Sequence, residues 1–324
     1  MTPQSGLLSA YLLDGKGAGR EVSWDGIRSW QPSSGTLWIH LDRSDPESSR
    51  WLMEDSGLDA LTCEALLAEE TRPRTVAGGD GLIVILRGVN LHPEADPEDM
   101  VSIRMWVEPN RVISLRTRRL MAVQDVRDML AQNTGPRDAP GLLVRIASRL
   151  VDRMGPVIEE LDEHVDDLEE EVLTAQSYEL RTKLSALRRQ AIALRRYIAP
   201  QREAMARLQT EQATWLTALD RSRLREVADR ITRYVEDLDS ARERASVTQE
   251  ELGGRLAEQM NKTMYVLSIV AAVFLPLGLL TGLLGINVGG IPGVESPWAF
   301  AIVCLILVGI ALVQIVVFRK MKWM

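Results

Sequence analysis

Residues 264–286 read MYVLSIVAAVFLPLGLLTGLLGI, 23 positions without a charge, and residues 298–318 repeat the character over 21, WAFAIVCLILVGIALVQIVVF. Each run is long enough for the roughly 20 helical residues that cross a bilayer core of about 30 Å. Two such runs in succession are hard to bury in a soluble core. They predict a transmembrane domain over 264–324, with spans at about 264–286 and 298–318. The connector 287–297 contains no Lys or Arg, whereas Lys262 precedes the first span and Arg319, Lys320 and Lys322 follow the second. Positive residues stay on the cytoplasmic side, so both termini are expected in the cytoplasm and the connector outside. In a bacterium the membrane is the cell inner membrane, with Trp298 and Trp323 as interfacial anchors.

Working back from the spans, the charge changes character. From Met264 onward only Glu295, Arg319, Lys320 and Lys322 are charged, a balance of +2 against a total of −7, which leaves −9 for residues 1–263. An acidic soluble part joined to an apolar tail argues against nucleic acid as a partner and suits the attraction of cations. The first residues, MTPQSGLLSAYLLDGKG, have neither a basic start nor a long apolar stretch, so a secretory signal is not expected. Cys63 and Cys304 are too few and too far apart for a disulfide framework, which fits a cytosolic soluble part.

Residues 1–140 read as a cytosolic α/β domain. Strand-like runs are Leu7–Leu13, Thr36–Leu41, Leu82–Arg87, Val101–Val107 and Val112–Leu115. Helix-prone stretches are Trp51–Glu70 and Arg118–Gln132, and Pro, Gly and Asp clusters mark the turns. Residues 141–263 read as a helical hairpin and stalk. Ile158, Leu161, Val165, Leu168 and Val172 form a heptad seam in a segment, Gly155–Ala175, with nine acidic residues and no Lys or Arg. The spacing recurs at Leu180, Leu184, Leu187, Ala191, Leu194 and Ile198 among basic residues. An acidic helix followed by a basic one predicts a hairpin with complementary faces, while the acidic face also suits a hydrated antechamber for cations. Pro200 is expected to end or kink the hairpin.

A third helix is expected from near Asp220, running without a break into the first span, about 100 Å in all. Such a helix must pack against copies of itself or partner helices, which argues for a homo-oligomer. Gly253 and Gly254 interrupt it, as a close approach or as a hinge. Within the span, Pro276 frees the carbonyl of Ala272, and Ser268, Gly278, Thr281, Gly282 and Gly285 permit close packing. The span ends at Gly285-Ile286-Asn287, followed by the glycine-rich VGGIPG. Read alone, Asn287 is an ordinary helix cap. In a symmetric oligomer it would form a ring of amide oxygens able to hold the water shell of a divalent cation.

This tail resembles the CorA-type divalent-cation transporter family, whose signature is Gly-Met-Asn at the end of the first of two C-terminal spans. The likeness includes Met260-Asn261, Phe274-Leu275-Pro276, the Gly-x-Asn turn and the ending Lys320-Met321-Lys322-Trp323. It implies a funnel-shaped homopentamer with cytosolic α/β/α domains, a long helical stalk and a pore lined by the first span. The whole chain is then an α+β membrane protein. The magnesium branch has Tyr-Gly-Met-Asn, whereas Leu284-Gly285-Ile286-Asn287 looks like the zinc-transporting ZntB branch. By position, the resemblance places Asn261, Leu267, Leu275 and Gly278 along the pore, Gly285, Ile286 and Asn287 at its mouth, and Glu295 as an outer acidic lure. Leu275 and Gly278 replace bulkier or more polar residues of the magnesium branch.

Zinc prefers His and Cys, and none lies in the first span. The pore is therefore expected to pass a hydrated ion, Zn2+ with Co2+, Ni2+ or Cd2+ behind it, and no Asp, Glu or His stands in the spans to relay protons. Divalent metal ions have one other candidate site, cytosolic, at His164 with Glu160, Glu163 and Asp167, against a plain solvated helix face. No P-loop or nucleophile motif points to an enzyme, and no bound cofactor is expected. The alternatives are a Mg2+ channel of the same family and a non-conducting membrane-anchored scaffold or sensor.

Overall fold

The computed structural model describes residues 6–174, 178–211, 213–286, 291, 293 and 296–320. They form two compact units, Met1–Gln249 and Glu250–Met324.

The first unit is built on seven strands: β1 (Leu7–Leu13), β2 (Gly19–Glu21), β3 (Thr36–Asp42), β4 (Arg74–Gly78), β5 (Gly81–Gly88), β6 (Val101–Val107) and β7 (Arg111–Arg116), in the order β2-β1-β3-β7-β6-β5-β4. Neighbours are antiparallel except the central pair β3 and β7, whose register sets His40 beside Ser114 and Asp42 beside Arg116. Thr36 to Leu41 are all buried, as expected of a strand covered on both faces. Leu37, Ile39, Leu41, Ile113 and Leu115 belong to one core cluster with Trp24, Trp51, Leu52, Cys63 and Leu66. These last come from α1 (Trp24–Arg28), α2 (Pro46–Glu54) and α3 (Ala60–Leu67). α4 (Met121–Ala131) packs on α5 (Ala139–Thr174), which with α6 (Tyr178–Thr210) packs on the sheet. Five strands fall where their apolar runs place them.

Two strands escape the apolar pattern. β2 is only Gly-Arg-Glu, and β4 is an edge strand with a single buried residue, Thr75. β4 exists because the turn at Gly79 (φ +55) folds it back on β5. Trp51–Glu70 divides into α2 and α3, since the Asp59 carboxylate accepts the Thr62 N–H at 2.9 Å and starts a new helix.

Pro200 does not end the second long helix, which runs on to Thr210. Tertiary contacts hold it: Ala204, Met205 and Leu208 are buried, Thr75 Oγ1 donates to Ala204 O at 2.9 Å, and Arg87 N donates to Gln201 Oε1 at 2.6 Å. Helix α7 (Ala218–Gly285) starts with a reciprocal cap. The Asp220 carboxylate accepts from Thr217 N at 3.1 Å, and Thr217 Oγ1 accepts from Asp220 N at 3.1 Å.

The heptad seams are buried as expected at Leu161, Val165, Leu184, Leu194, Ile231 and Leu238, but the charges pair differently. The acidic helix finds its cations on α7. Arg244 meets Asp162 (3.0 Å), Glu169 (2.7 Å) and Asp166, and Arg230 meets Asp152 at 2.5 Å. On the basic helix, Arg195 meets Asp239, again on α7, at 2.6 Å. The third helix carries the charge complement that the sequence assigned to the hairpin alone.

In the second unit, the last part of α7 and α8 (Ala299–Lys320) are each long and apolar enough to cross a membrane. Their large side chains are exposed: Leu267 68%, Leu275 70%, Phe300 81% and Leu305 76%.

Candidate functional site

The candidate site is the last third of α7. Successive helical residues turn about 100°, so Leu267, Ala271, Leu275, Gly278, Gly282 and Gly285 fall within about 80° of one another. The better-covered side of the span, with Ile269, Val273 and Leu280, lies on the opposite side of the helix. Gln314 of α8 reaches the backbone of this span, donating to Ala272 O at 3.3 Å. Among the described residues this stripe is largely uncovered: Leu267, Leu275, Gly278, Gly282 and Gly285 are exposed, and Ala271 is half-buried.

Asn261 is exposed one turn before the apolar run, and Ile286 is exposed just past Gly285, the last residue of α7. Asn287 and Glu295 lie outside the described residues. The span's hydroxyls do not serve this stripe. Ser268 Oγ donates to Met264 O at 2.8 Å, and Thr281 Oγ1 donates to Leu277 O at 3.0 Å, so both are spent on their own helix. At the edge of the stripe, its Gly278 joins Phe274, Leu277 and Thr281 of α7 and Leu307 and Val308 of α8 in lining an apolar groove of about 430 Å³.

Gly253 and Gly254 are helical and exposed, and a Cβ on either would meet no other atom. Among the described residues, no close approach is made at either glycine. Glu160, Glu163, His164 and Asp167 all lie exposed on α5. Among the described residues, no three His, Cys, Asp or Glu side chains come together as metal ligands, there or elsewhere. Nearby on α7, partial burial and the neighbouring Asp162 and Glu236 hold the Asp237 carboxyl above the ordinary carboxylate range.

One residue of the span pair was missed in the sequence. Pro276 deprives Ala272 O of its helical donor, and the amide of Gln314 supplies a replacement from α8. The signal was present: Gln314 is the one amide side chain between Ala299 and Phe318, and a lone polar group in a span demands a partner.

Over residues 33–320 the sequence matches the family described as CorA-like Mg2+ transporter protein. The chain is 42% identical to the divalent cation transporter CmaX of Pseudomonas aeruginosa, over 99% of this chain and 98% of that protein. It is 37% identical to the zinc transport protein ZntB of Pectobacterium carotovorum, over 94% and 92% respectively. The full-length CmaX structure superposes with a TM-score of 0.88 at 41% identity, covering all of both chains. The sheet-and-helix first unit, the long α7 and the two apolar C-terminal helices are thus shared along the whole length of a relative, and the chain belongs to the CorA-like Mg2+ transporter family.

Proposed function

We propose that this protein carries divalent metal cations, Zn2+ first, through a membrane pore lined by α7 from each copy of a homopentamer. The observation that carries the reading is the free stripe of α7, leucine and small residues without a charged group, leading to Gly285-Ile286-Asn287. Exposed in one chain, that stripe is matched to copies of itself. The small positions at Ala271, Gly278, Gly282 and Gly285 leave room along it, and the leucines at 267 and 275 form its apolar constrictions.

The stripe has no thiolate or imidazole to strip and bind zinc, so the ion passes with its water shell, held at the mouth by the Asn287 amides. Co2+, Ni2+ and Cd2+ pass the same way. Glu295 and the carboxylates of α5 that form no ion pair among the described residues attract cations at long range. Both termini are cytoplasmic, the membrane is the bacterial inner membrane, and the protein is a carrier of ions with no enzymatic step and no bound cofactor. Zinc rather than magnesium is favoured by the Leu284-Gly285-Ile286-Asn287 signature and by the zinc transport protein among its relatives.

The test is Zn2+ and Mg2+ flux into proteoliposomes holding the assembled protein, with Asn287→Ala alongside. Zinc flux that falls at least tenfold in the variant is the expected result. Magnesium flux without zinc would transfer the protein to the other branch. Absence of both, with and without a pH gradient, would leave a membrane-anchored scaffold.

A further inference from the structure

Far from the spans in sequence, within the first unit, β7 and α4 border a basin of about 290 Å³ lined by three arginines with the neutral His40 and Gln124. Arg116 ends β7, Arg119 follows it, and Arg127 stands on α4. Among the described residues none of the three forms an ion pair. Asp42, its cross-strand neighbour, acts on Arg116 without an ion pair, and Asp128 on α4 receives the Gln124 amide at 2.7 Å. Three guanidinium groups at one concavity are out of place in a chain of net charge −7 unless something answers them.

The basin is also organised. His40, at its base, is fully buried, and its Nε2 accepts from Arg116 Nε at 3.1 Å. That leaves Nδ1 to carry the proton and donate to Ser114 Oγ at 2.8 Å. Ser114 Oγ also accepts from Trp38 Nε1 at 2.8 Å and donates to Ile39 O at 3.2 Å, so its bonds are mutually consistent. Burial, with Arg116 and Arg127 nearby, pushes the His40 pKa down to about 3, and the ring is neutral.

Arg116 is therefore aimed by a fixed neutral acceptor, while its two terminal nitrogens have no partner among the described residues. Burial and the nearby Arg119 and Arg127 lower its pKa, a repulsion that an anion would relieve. Arg127 Nε is steadied on Tyr11 OH at 3.2 Å. Arg119 makes no hydrogen bond among the described residues. The start of α4 borders the basin, and its N-cap, Leu120, has no side-chain group to cap it. A helix start beside forked guanidinium groups is a favourable setting for a tetrahedral oxyanion.

We propose that this basin binds a soluble phosphate or small phosphate ester, gripped by Arg116, Arg119 and Arg127 at the start of α4. The site lies wholly within the first unit and its test reads binding, so it stands apart from the transport reading.

The experiment is isothermal titration of the full-length protein in detergent with inorganic phosphate, against chloride at matched ionic strength. Saturable phosphate binding, weakened at least tenfold in Arg119→Gln and in Arg116→Gln, is expected. Arg119→Gln is the decisive variant, because that side chain supports nothing else in the fold. The absence of saturable binding, or binding unchanged in Arg119→Gln, overturns the proposal. A lipid headgroup is the other source of the same chemistry. Loss of phosphate binding in phosphatidylglycerol nanodiscs but not in phosphatidylcholine nanodiscs would assign the basin to lipid and overturn the soluble ligand.

Discussion

The two units of this chain obey opposite rules with the same amino acids. In residues 1–249, leucines and valines of the sheet and helix seams are inside and cations meet carboxylates, as Arg244 does with three of them. In residues 250–324, leucines at 267, 275 and 305 are outside, and the Gln314 amide is turned inward onto a carbonyl. The contrast reflects two solvents. In water, apolar surface is hidden and charge is free to face out. In lipid, apolar surface costs nothing to expose, and each polar group must find a partner within the protein.

The sharpest test of that contrast uses equal exposure in unequal solvents. Leu61 of α3 is 77% exposed and Leu305 of α8 is 76% exposed. Leu305→Asp is expected to cost about 3 kcal/mol of insertion, near a hundredfold in the inserted fraction, whereas Leu61→Asp is expected to stay within about 0.5 kcal/mol. Alkaline extraction of membranes measures the first and thermal unfolding the second. Equal damage at both positions would mean that α8 faces protein or water and would break the comparison.

Acid separates the units next, because His40 is a buried ionisable group in one and the spans of the other hold no Asp, Glu or His. Burial first, then Arg116 and Arg127, holds the His40 pKa at about 3, below the ordinary histidine value of 6.5. The unfolded chain takes up a proton that the folded chain refuses. The stability due to this group is therefore complete above pH 6.5 and is lost as the pH falls from there toward 3. Between pH 7 and pH 5 the loss is roughly 2 kcal/mol. Tryptophan fluorescence reports mainly the first unit, since only Trp298 and Trp323 of the eight tryptophans lie beyond residue 249. Its unfolding midpoint is expected to drop over that interval in the native protein and much less in His40→Asn. The same drop in both would place the acid sensitivity elsewhere.

What was legible in the sequence follows from which forces leave a local trace. The spans, the five long strands and the heptad seams each carry a hydrophobic period, and burial at Leu161, Val165, Ile231 and Leu238 answers it. The start of α7 was legible too, because Thr217 and Asp220 are spaced as a capping box. β4 left no trace, since an edge strand answers to its neighbour β5 more than to its own residues. Pro200 does not end its helix for a related reason: burial of Met205 and Leu208 holds the helix together beyond the local break. The charge partners were open in principle, as acidic α5 had two basic candidates, and only the packing of three helices selects Arg244. At the candidate site, Leu267, Leu275 and Gly278 share the free face of α7. Their grouping was accessible from a helical period, whereas Asn287 lies outside the described residues.

The smallest effect concerns the polar contact that makes the lipid-facing unit consistent with its own rule. Pro276 leaves Ala272 O without a helical donor, and Gln314 Nε2 answers it at 3.3 Å, a long bond. Interhelical bonds in spans average about 0.6 kcal/mol, so Gln314→Leu alone is a weak test. Its sign is also ambiguous, because Gln314 Oε1 is buried without a partner among the described residues and leucine removes that cost. The informative quantity is the coupling between the two positions. Pro276→Ala restores a backbone donor to Ala272 O and makes the Gln314 amide redundant. The stability effect of Gln314→Leu should therefore differ by about 0.6 kcal/mol between the native background and the Pro276→Ala background, destabilising more where the proline is present. Unfolding of the four proteins from detergent micelles by a denaturing surfactant, read by helical circular dichroism, closes the cycle. A coupling of zero would mean that water already satisfies Ala272 O, and the rule drawn from the contrast between the two units would fail at the place where it is most exposed to test.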